Sequence, residues 1–155
     1  MLRRSISLSS TAPSQSALAW KIFFGLACAV TVAPLFLTDV PPLLDYPNHL
    51  ARMFVLAHGD DPELARFYRP HWGIVPDLAI DAIGPLLMRF LPVHFAGRTV
   101  IALAALLPVV GCVVFSRAVT GLRPLWSFGV LAIAWHGLLL RGFLNFSIAA
   151  GVALL

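Results

Sequence analysis

The sequence predicts an all-α protein of polytopic transmembrane helices, with a large first external loop that contains amphipathic juxtamembrane helices. Hydrophobic residues make up 59% of the 155-residue chain and charged residues only 12%, which is outside the range of soluble domains of this size. Several apolar runs approach the roughly 20 residues that an α-helix needs to cross the hydrocarbon core. The basic residues are scattered singly between these runs. They form no patch, which argues against nucleic acid as a partner. The expected partner is therefore membrane lipid.

The N-terminal part is predicted to be a polar cytoplasmic tail, residues 1–16, followed by transmembrane helix 1, residues 17–38. Arg3, Arg4 and Lys21 lie at or before the start of this helix. The positive-inside rule therefore predicts a cytoplasmic N-terminus, and with the further apolar runs we expect a multi-pass protein of the cell inner membrane. A secretory signal peptide has the same order of charged, polar and apolar residues, but no small-x-small cleavage pattern closes this run. We expect an uncleaved anchor.

The external loop is predicted to cover residues 39–92, with interfacial helices at about 47–58, 62–68 and 74–91. Pro47 suits a first helical position, where its missing N–H would have no partner in any case. Asp61 is a good N-cap for the next helix. Apolar side chains recur at helical spacing in the first helix, which predicts a helix that lies on the membrane or on neighbouring helices.

The segment 74–91 has two interpretations, because it is long enough to suggest a transmembrane helix yet carries Asp77 and Asp81. An Asp at the centre of a transmembrane helix costs roughly 2.5 to 3.5 kcal/mol on insertion scales. If the segment stays outside, all seven acidic residues lie outside, while Arg117 and Arg123 lie inside. If it crosses, the protein is a transporter or a non-catalytic membrane scaffold in which the two aspartates line a polar path.

The remaining elements are a transmembrane helix at 93–116, a short basic cytoplasmic loop at 117–124 and a transmembrane helix at 125–140. Residues 143–155 begin one more helix that is too short to cross the bilayer. We therefore expect an N-terminal fragment that is inactive alone and whose partner is the missing C-terminal part of the same protein.

The candidate site lies just after the first apolar run, where Asp45 precedes a helix that carries His49 and Arg52 one turn apart. A carboxylate at this position can act as a general base or hold a divalent cation, and the two basic side chains can neutralise a phosphate leaving group. A purely structural interpretation is also open. In that case Asp45 caps the helix, Arg52 extends to lipid headgroups and His49 merely lies at the interface.

The order of elements carries a resemblance to a known family. An apolar N-terminal span, the segment DYPNHLAR at 45–52, amphipathic loop helices and paired spans joined by residues 117–124 resemble the start of the GT-C membrane glycosyltransferases. More narrowly, residues 45–57 and residues 141–146, RGFLNF, resemble a group of bacterial hypothetical membrane proteins. The GT-C family transfers a sugar from a polyprenyl-phosphate donor to an acceptor at the external face of the membrane. The resemblance implies a catalytic role for Asp45.

The same resemblance implies that His49, Arg52, Arg141 and Asn145 bind the substrate, with Arg141 on a donor phosphate. Arg141 has a second interpretation as a flanking charge that extends to the lipid headgroups. Tyr46 stands where the family usually has a second acidic residue, and Asn145 is neutral where the second external loop often supplies an Asp. The identity of any metal therefore stays open.

Other candidates are single residues. His71 and Trp72, near the end of the loop, are a further substrate-binding candidate, because Trp can stack on a sugar and His can coordinate a metal. A Trp at the membrane interface is also ordinary. His136, near the end of the third apolar run, is expected to be a buried, hydrogen-bonded residue.

Overall fold

The computed structural model describes residues 15–69, 73, 78–121 and 125–155, and within these ranges the chain is helical and contains no strand. The elements are α1 (Gln15–Leu37), α2 (Tyr46–Ala57), α3 (Pro62–Ala65), α4 (Ala79–Met88), α5 (Val93–Thr120), a 3₁₀ helix (Leu125–Trp135), α6 (Gly137–Leu140) and α7 (Leu144–Ala153). The all-helical class is confirmed.

Among the described residues, two helices are long and apolar enough to cross a membrane, Ala17–Leu37 within α1 and Val93–Thr120, which is α5. α5 runs four residues beyond the predicted boundary at 116 and ends at Gly121, whose φ of 69° is left-handed. Glycine is well suited to this position because it has no Cβ. α5 is also the centre of the core, since Val100, Ile101 and Ala104 are fully buried.

The end of α1 lies close to the start of α5, so the two ends of the loop between them lie together. The rings of Phe36 and Phe95 lie 5.2 Å apart between centroids, at the end of α1 and the start of α5. Arg98 donates a hydrogen bond of 3.0 Å to the backbone carbonyl of Asp39 just after α1.

The predicted helix at 125–140 is divided into the 3₁₀ helix and the short α6. A 3₁₀ helix rises about 2 Å per residue, so its 11 residues extend as far as roughly 15 residues of α-helix. It lies along α1: Phe24 and Phe128 are 5.8 Å apart between ring centroids, and Trp135 donates to the backbone carbonyl of Thr31 at 3.0 Å.

α7 packs closely against α5 through two glycines. A Cβ on Gly111 would lie 2.6 Å from the carbonyl oxygen of Gly151, and a Cβ on Gly151 would lie 2.5 Å from the carbonyl carbon of Leu107. Small residues permit such backbone contact, which is a common form of helix packing in membranes.

The loop helices differ in length from the prediction. α2 begins one residue before the predicted start, and Asp61 caps α3 as predicted, since its Oδ1 accepts from the Glu63 N–H at 2.8 Å. α4 occupies only Ala79–Met88 of the predicted 74–91, and residues 74–77 lie outside the described ranges. Gly84 of α4 contacts the buried side chain of Met53 in α2, with no room for a Cβ.

Candidate functional site

Asp45 lies directly before α2, but its carboxylate does not cap the helix. Oδ1 instead accepts a hydrogen bond of 2.6 Å from the side-chain amide of Asn48. Oδ2 lies 3.4 Å from Nε2 of His49, and the Asp45 side chain is 43% exposed. The carboxylate is therefore held from one side and open to solvent on the other, in contrast to the structural interpretation of Asp45 as a helix cap.

His49 connects α2 to the turn between α6 and α7. Its Nε2 lies 2.7 Å from the backbone carbonyl oxygen of Gly142. Because a carbonyl only accepts, Nε2 carries the proton and donates it. The hydrogen bond joins residues 93 positions apart in sequence, so the helix after the first apolar run and the RGFLNF segment meet at this point.

Gly142 makes that contact possible. Its φ is 98°, a left-handed conformation that side chains with a Cβ rarely adopt. A Cβ added here would also lie 2.5 Å from the Cβ of Asp45. Both the conformation and the close packing therefore require glycine.

Arg52 is held by an acidic partner on another helix. Its Nε donates to Oδ1 of Asp81 at 2.7 Å and its Nη2 to Oδ2 at 2.5 Å. The Arg52 side chain is 60% exposed, whereas the Asp81 side chain is 4% exposed. The Asp81 hydrogen bond raises the pKa of Arg52 above its usual value, so the guanidinium stays charged. Two parallel bonds also fix its plane.

Asn145 and Arg141 come from the two ends of the α6–α7 turn. The side-chain oxygen of Asn145 accepts a hydrogen bond of 2.9 Å from the backbone N–H of Ile80 in the first turn of α4. Arg141 ends α6 and is exposed. Its side chain has no ion-pair or hydrogen-bond partner within the part of the chain that the structure describes.

These side chains line one cavity of about 410 Å³, the site cavity. Its lining residues are Asp45, His49, Arg52, Ile80, Asp81, Arg141, Gly142, Phe143, Leu144, Asn145 and Phe146. Five of the residues predicted from the sequence therefore come together: Asp45, His49, Arg52, Arg141 and Asn145. His71, Trp72 and Asp77, three other residues named from the sequence, lie outside the described residues.

Sequence reasoning missed two contacts of this site. Asn48 could have been found, because Asn three residues after Asp is a common local hydrogen-bonding pattern. The Arg52–Asp81 pair could not, because its members are 29 residues apart and meet only through the packing of α4 on α2.

The charges of the cavity are unevenly compensated. Arg52 is neutralised by Asp81, and Asp45 faces the polar groups of Asn48 and His49. Arg141 is the cation without an acidic partner among the described lining residues. The cavity can thus receive an anionic group at Arg141 while a half-exposed carboxylate lies on its α2 side.

No group of three or more His, Cys, Asp or Glu side chains with the geometry of a metal site occurs within the described ranges.

His136 and Ser147 form another close pair of polar side chains, and the proton on the His136 ring decides what the pair can do. Ser147 Oγ lies 3.3 Å from His136 Nε2, but His136 Nδ1 accepts from the backbone N–H of Leu139. In the neutral ring Nε2 then carries the proton. Nε2 therefore cannot act as a base toward Ser147, and His136 is hydrogen-bonded as expected but only partly buried.

Comparison of the chain with models of known protein families, with curated proteins and with solved structures finds no match. The function of the site is therefore argued from its own chemistry.

Proposed function

We propose that the chain forms part of an integral membrane glycosyltransferase that transfers a sugar from a polyprenyl-phosphate donor at the external membrane face. The observation that carries the proposal is the site cavity. A carboxylate, an imidazole and a guanidinium from the start of the loop meet Arg141 and Asn145, which come from a segment about 90 residues later in the sequence.

The roles follow from the contacts. Asp45 is the general base that takes the proton of the acceptor hydroxyl, because its carboxylate is half-exposed and oriented by Asn48 and His49. Arg141 binds the phosphate of the donor, because it is the cation of the cavity that no described acidic residue neutralises. Arg52, whose charge Asp81 compensates, supplies an oriented hydrogen-bond donor, and His49 holds the α6–α7 turn against α2.

A binding measurement tests the phosphate site. Farnesyl phosphate, a short prenyl phosphate, is titrated into the purified chain in detergent. Arg141→Ala is expected to weaken binding about tenfold, the effect of losing one charge-assisted hydrogen bond. Arg66→Ala is the matched control, because Arg66 is exposed and lies on α3, away from the cavity. Equal affinities for the wild type and Arg141→Ala would contradict the assignment.

A transfer assay tests the catalytic role. Membranes from cells that produce the protein are supplied with a polyprenyl-phosphate-linked sugar. Asp45→Asn is expected to lower transfer by about a hundredfold or more, because general base catalysis typically contributes that much, while farnesyl phosphate binding is retained. Asp60→Asn is the control, since Asp60 is exposed and outside the cavity. Transfer by Asp45→Asn at the wild-type rate would refute the role.

The alternative, a transporter or scaffold in which the segment 74–91 crosses the bilayer, conflicts with two features. α4 has 10 residues, about half of what a crossing helix needs. Asp81 is also engaged by Arg52 of α2, so it does not line an open path. The two proposals differ on which side of the membrane the end of α5 lies.

A further inference from the structure

A second groove lies between α2 and α4 and shares Asp81 with the site cavity. This α2–α4 groove measures about 320 Å³ and is lined by Leu56, Ala57, Asp81, Ala82, Pro85, Leu86 and Arg89. Five of its seven lining residues are apolar, and the other two, Asp81 and Arg89, are charged. The proposed glycosyl transfer does not use it.

The charges of the groove favour an anion. Asp81 is already compensated by two hydrogen bonds from Arg52, so its carboxylate contributes little negative potential to the groove. Arg89 is exposed, and its guanidinium has no ion-pair or hydrogen-bond partner in the described part of the chain. The groove therefore presents one uncompensated cation beside an apolar surface.

The position of Arg89 indicates the source of that anion. Arg89 ends α4, shortly before α5 begins at Val93, and α5 is one of the two candidate membrane-spanning helices. The end of such a helix lies at the depth of the lipid headgroups, where Arg side chains interact with phosphates. The apolar surface continues outward through Leu86, which is 54% exposed, and Phe90, which is 79% exposed.

We propose that the α2–α4 groove binds an anionic phospholipid, with its phosphate on Arg89 and the upper part of an acyl chain along Leu86. A free phosphate would satisfy Arg89 but would leave the apolar wall uncovered, so the lipid accounts for both features. The proposal rests on the membrane location proposed above, and not on sugar transfer.

The test is native mass spectrometry of the purified chain after incubation with equimolar phosphatidylglycerol and phosphatidylcholine. The wild type is expected to retain phosphatidylglycerol preferentially. Arg89→Ala is expected to lower this preference about fivefold, which corresponds to one basic residue at a membrane surface. Arg66→Ala is the matched control, because it removes an exposed arginine that lies on α3 and pairs with Glu63.

A second variant distinguishes binding of the lipid in the α2–α4 groove from electrostatic attraction of the lipid to Arg89 alone. Ala82→Trp places a large side chain in the groove at an exposed position and leaves Arg89 intact. It is expected to lower the retained phosphatidylglycerol as much as Arg89→Ala does. Unchanged lipid retention in either variant, or an equal loss in Arg66→Ala, would overturn the proposal. Release of the wild-type chain from membranes by a carbonate wash would instead refute the membrane location itself.

Discussion

At the scale of single residues, the charged side chains of the site cavity are oriented by hydrogen bonds and ion pairs with neighbouring side chains. Asn48 and His49 orient Asp45, and Asp81 orients Arg52. Only the local part of this arrangement follows from sequence spacing. Asp45, His49 and Arg52 lie at helical intervals and could be predicted to share a face, whereas Asp81 depends on how two helices pack.

Gly142→Ala is expected to destabilise the protein by about 1 to 3 kcal/mol, because it places a Cβ at a φ of 98°. The new Cβ would also contact the Cβ of Asp45 at 2.5 Å. The measurement is the midpoint of thermal unfolding in detergent. Gly129→Ala is the control, since a Cβ there meets nothing within 4 Å. Equal losses in both variants would show that the turn has no special requirement for glycine.

Arg52→Met is expected to destabilise the protein more than Asp81→Asn does. Removing Arg52 leaves a carboxylate that is 4% exposed without its counter-charge, whereas removing the charge of Asp81 leaves an arginine that is 60% exposed and can be hydrated. We expect a cost of roughly 2 to 3 kcal/mol for Arg52→Met, below that of fully buried pairs because Arg52 is exposed.

Chemical denaturation of both single variants and of the double variant measures this difference. The double variant is expected to be more stable than Arg52→Met, since it removes the uncompensated charge. Additive losses would mean that the two side chains do not interact energetically.

At the scale of elements, glycine contacts set the distance between α5 and α7. The alternation of apolar and small residues in 143–155 is compatible with many partners, so the sequence predicted a helix there but not its neighbour. The 3₁₀ form of Leu125–Trp135 was not predicted either. A continuous apolar run has no polar face whose period could distinguish it from an α-helix.

Gly151→Ala is expected to lower stability by about 1 to 3 kcal/mol, the usual cost of adding a methyl group to a packed interface. Its Cβ would lie 2.6 Å from the Cβ of Leu107 on α5. Gly25→Ala on α1 should be neutral or slightly stabilising, because a Cβ there meets nothing within 4 Å and Ala is the better helix former. Thermal unfolding of the two variants side by side provides the comparison, and a neutral Gly151→Ala would contradict the close packing.

At the scale of the whole molecule, the contact between the end of α1 and the start of α5 brings the two ends of the loop together. The α6–α7 turn meets the loop there, through the hydrogen bonds of His49 and Asn145. Composition predicted the helical class, whereas the sides of the membrane inferred from charge placement stay a prediction. The cavity itself could not be predicted, because it depends on contacts between distant segments.

Single cysteines at Asp60 and Ala118, in a chain without Cys28 and Cys112, test this arrangement in intact cells. Both positions are exposed, Asp60 in the loop and Ala118 near the end of α5. We expect an impermeant thiol reagent added outside to label position 60 and not position 118, because in the proposed topology α5 returns across the membrane. Labelling of position 118 would mean that the segment 74–91 crosses, and would favour the transporter.

The hydrogen bond between His49 and Gly142 has a consequence for biosynthesis. The two residues are 93 positions apart, so at typical translation rates roughly 5 to 20 s pass between their emergence from the ribosome. During this interval α2 is already outside the ribosome. The α6–α7 turn, whose Gly142 carbonyl accepts the hydrogen bond from His49, has not yet been synthesised. The carboxylate of Asp45 is then solvated and unshielded by the turn, and the cavity closes only when α6 and α7 arrive. The site is thus assembled late, and a ribosome-bound chain that stops before Gly142 should contain the loop helices but no cavity.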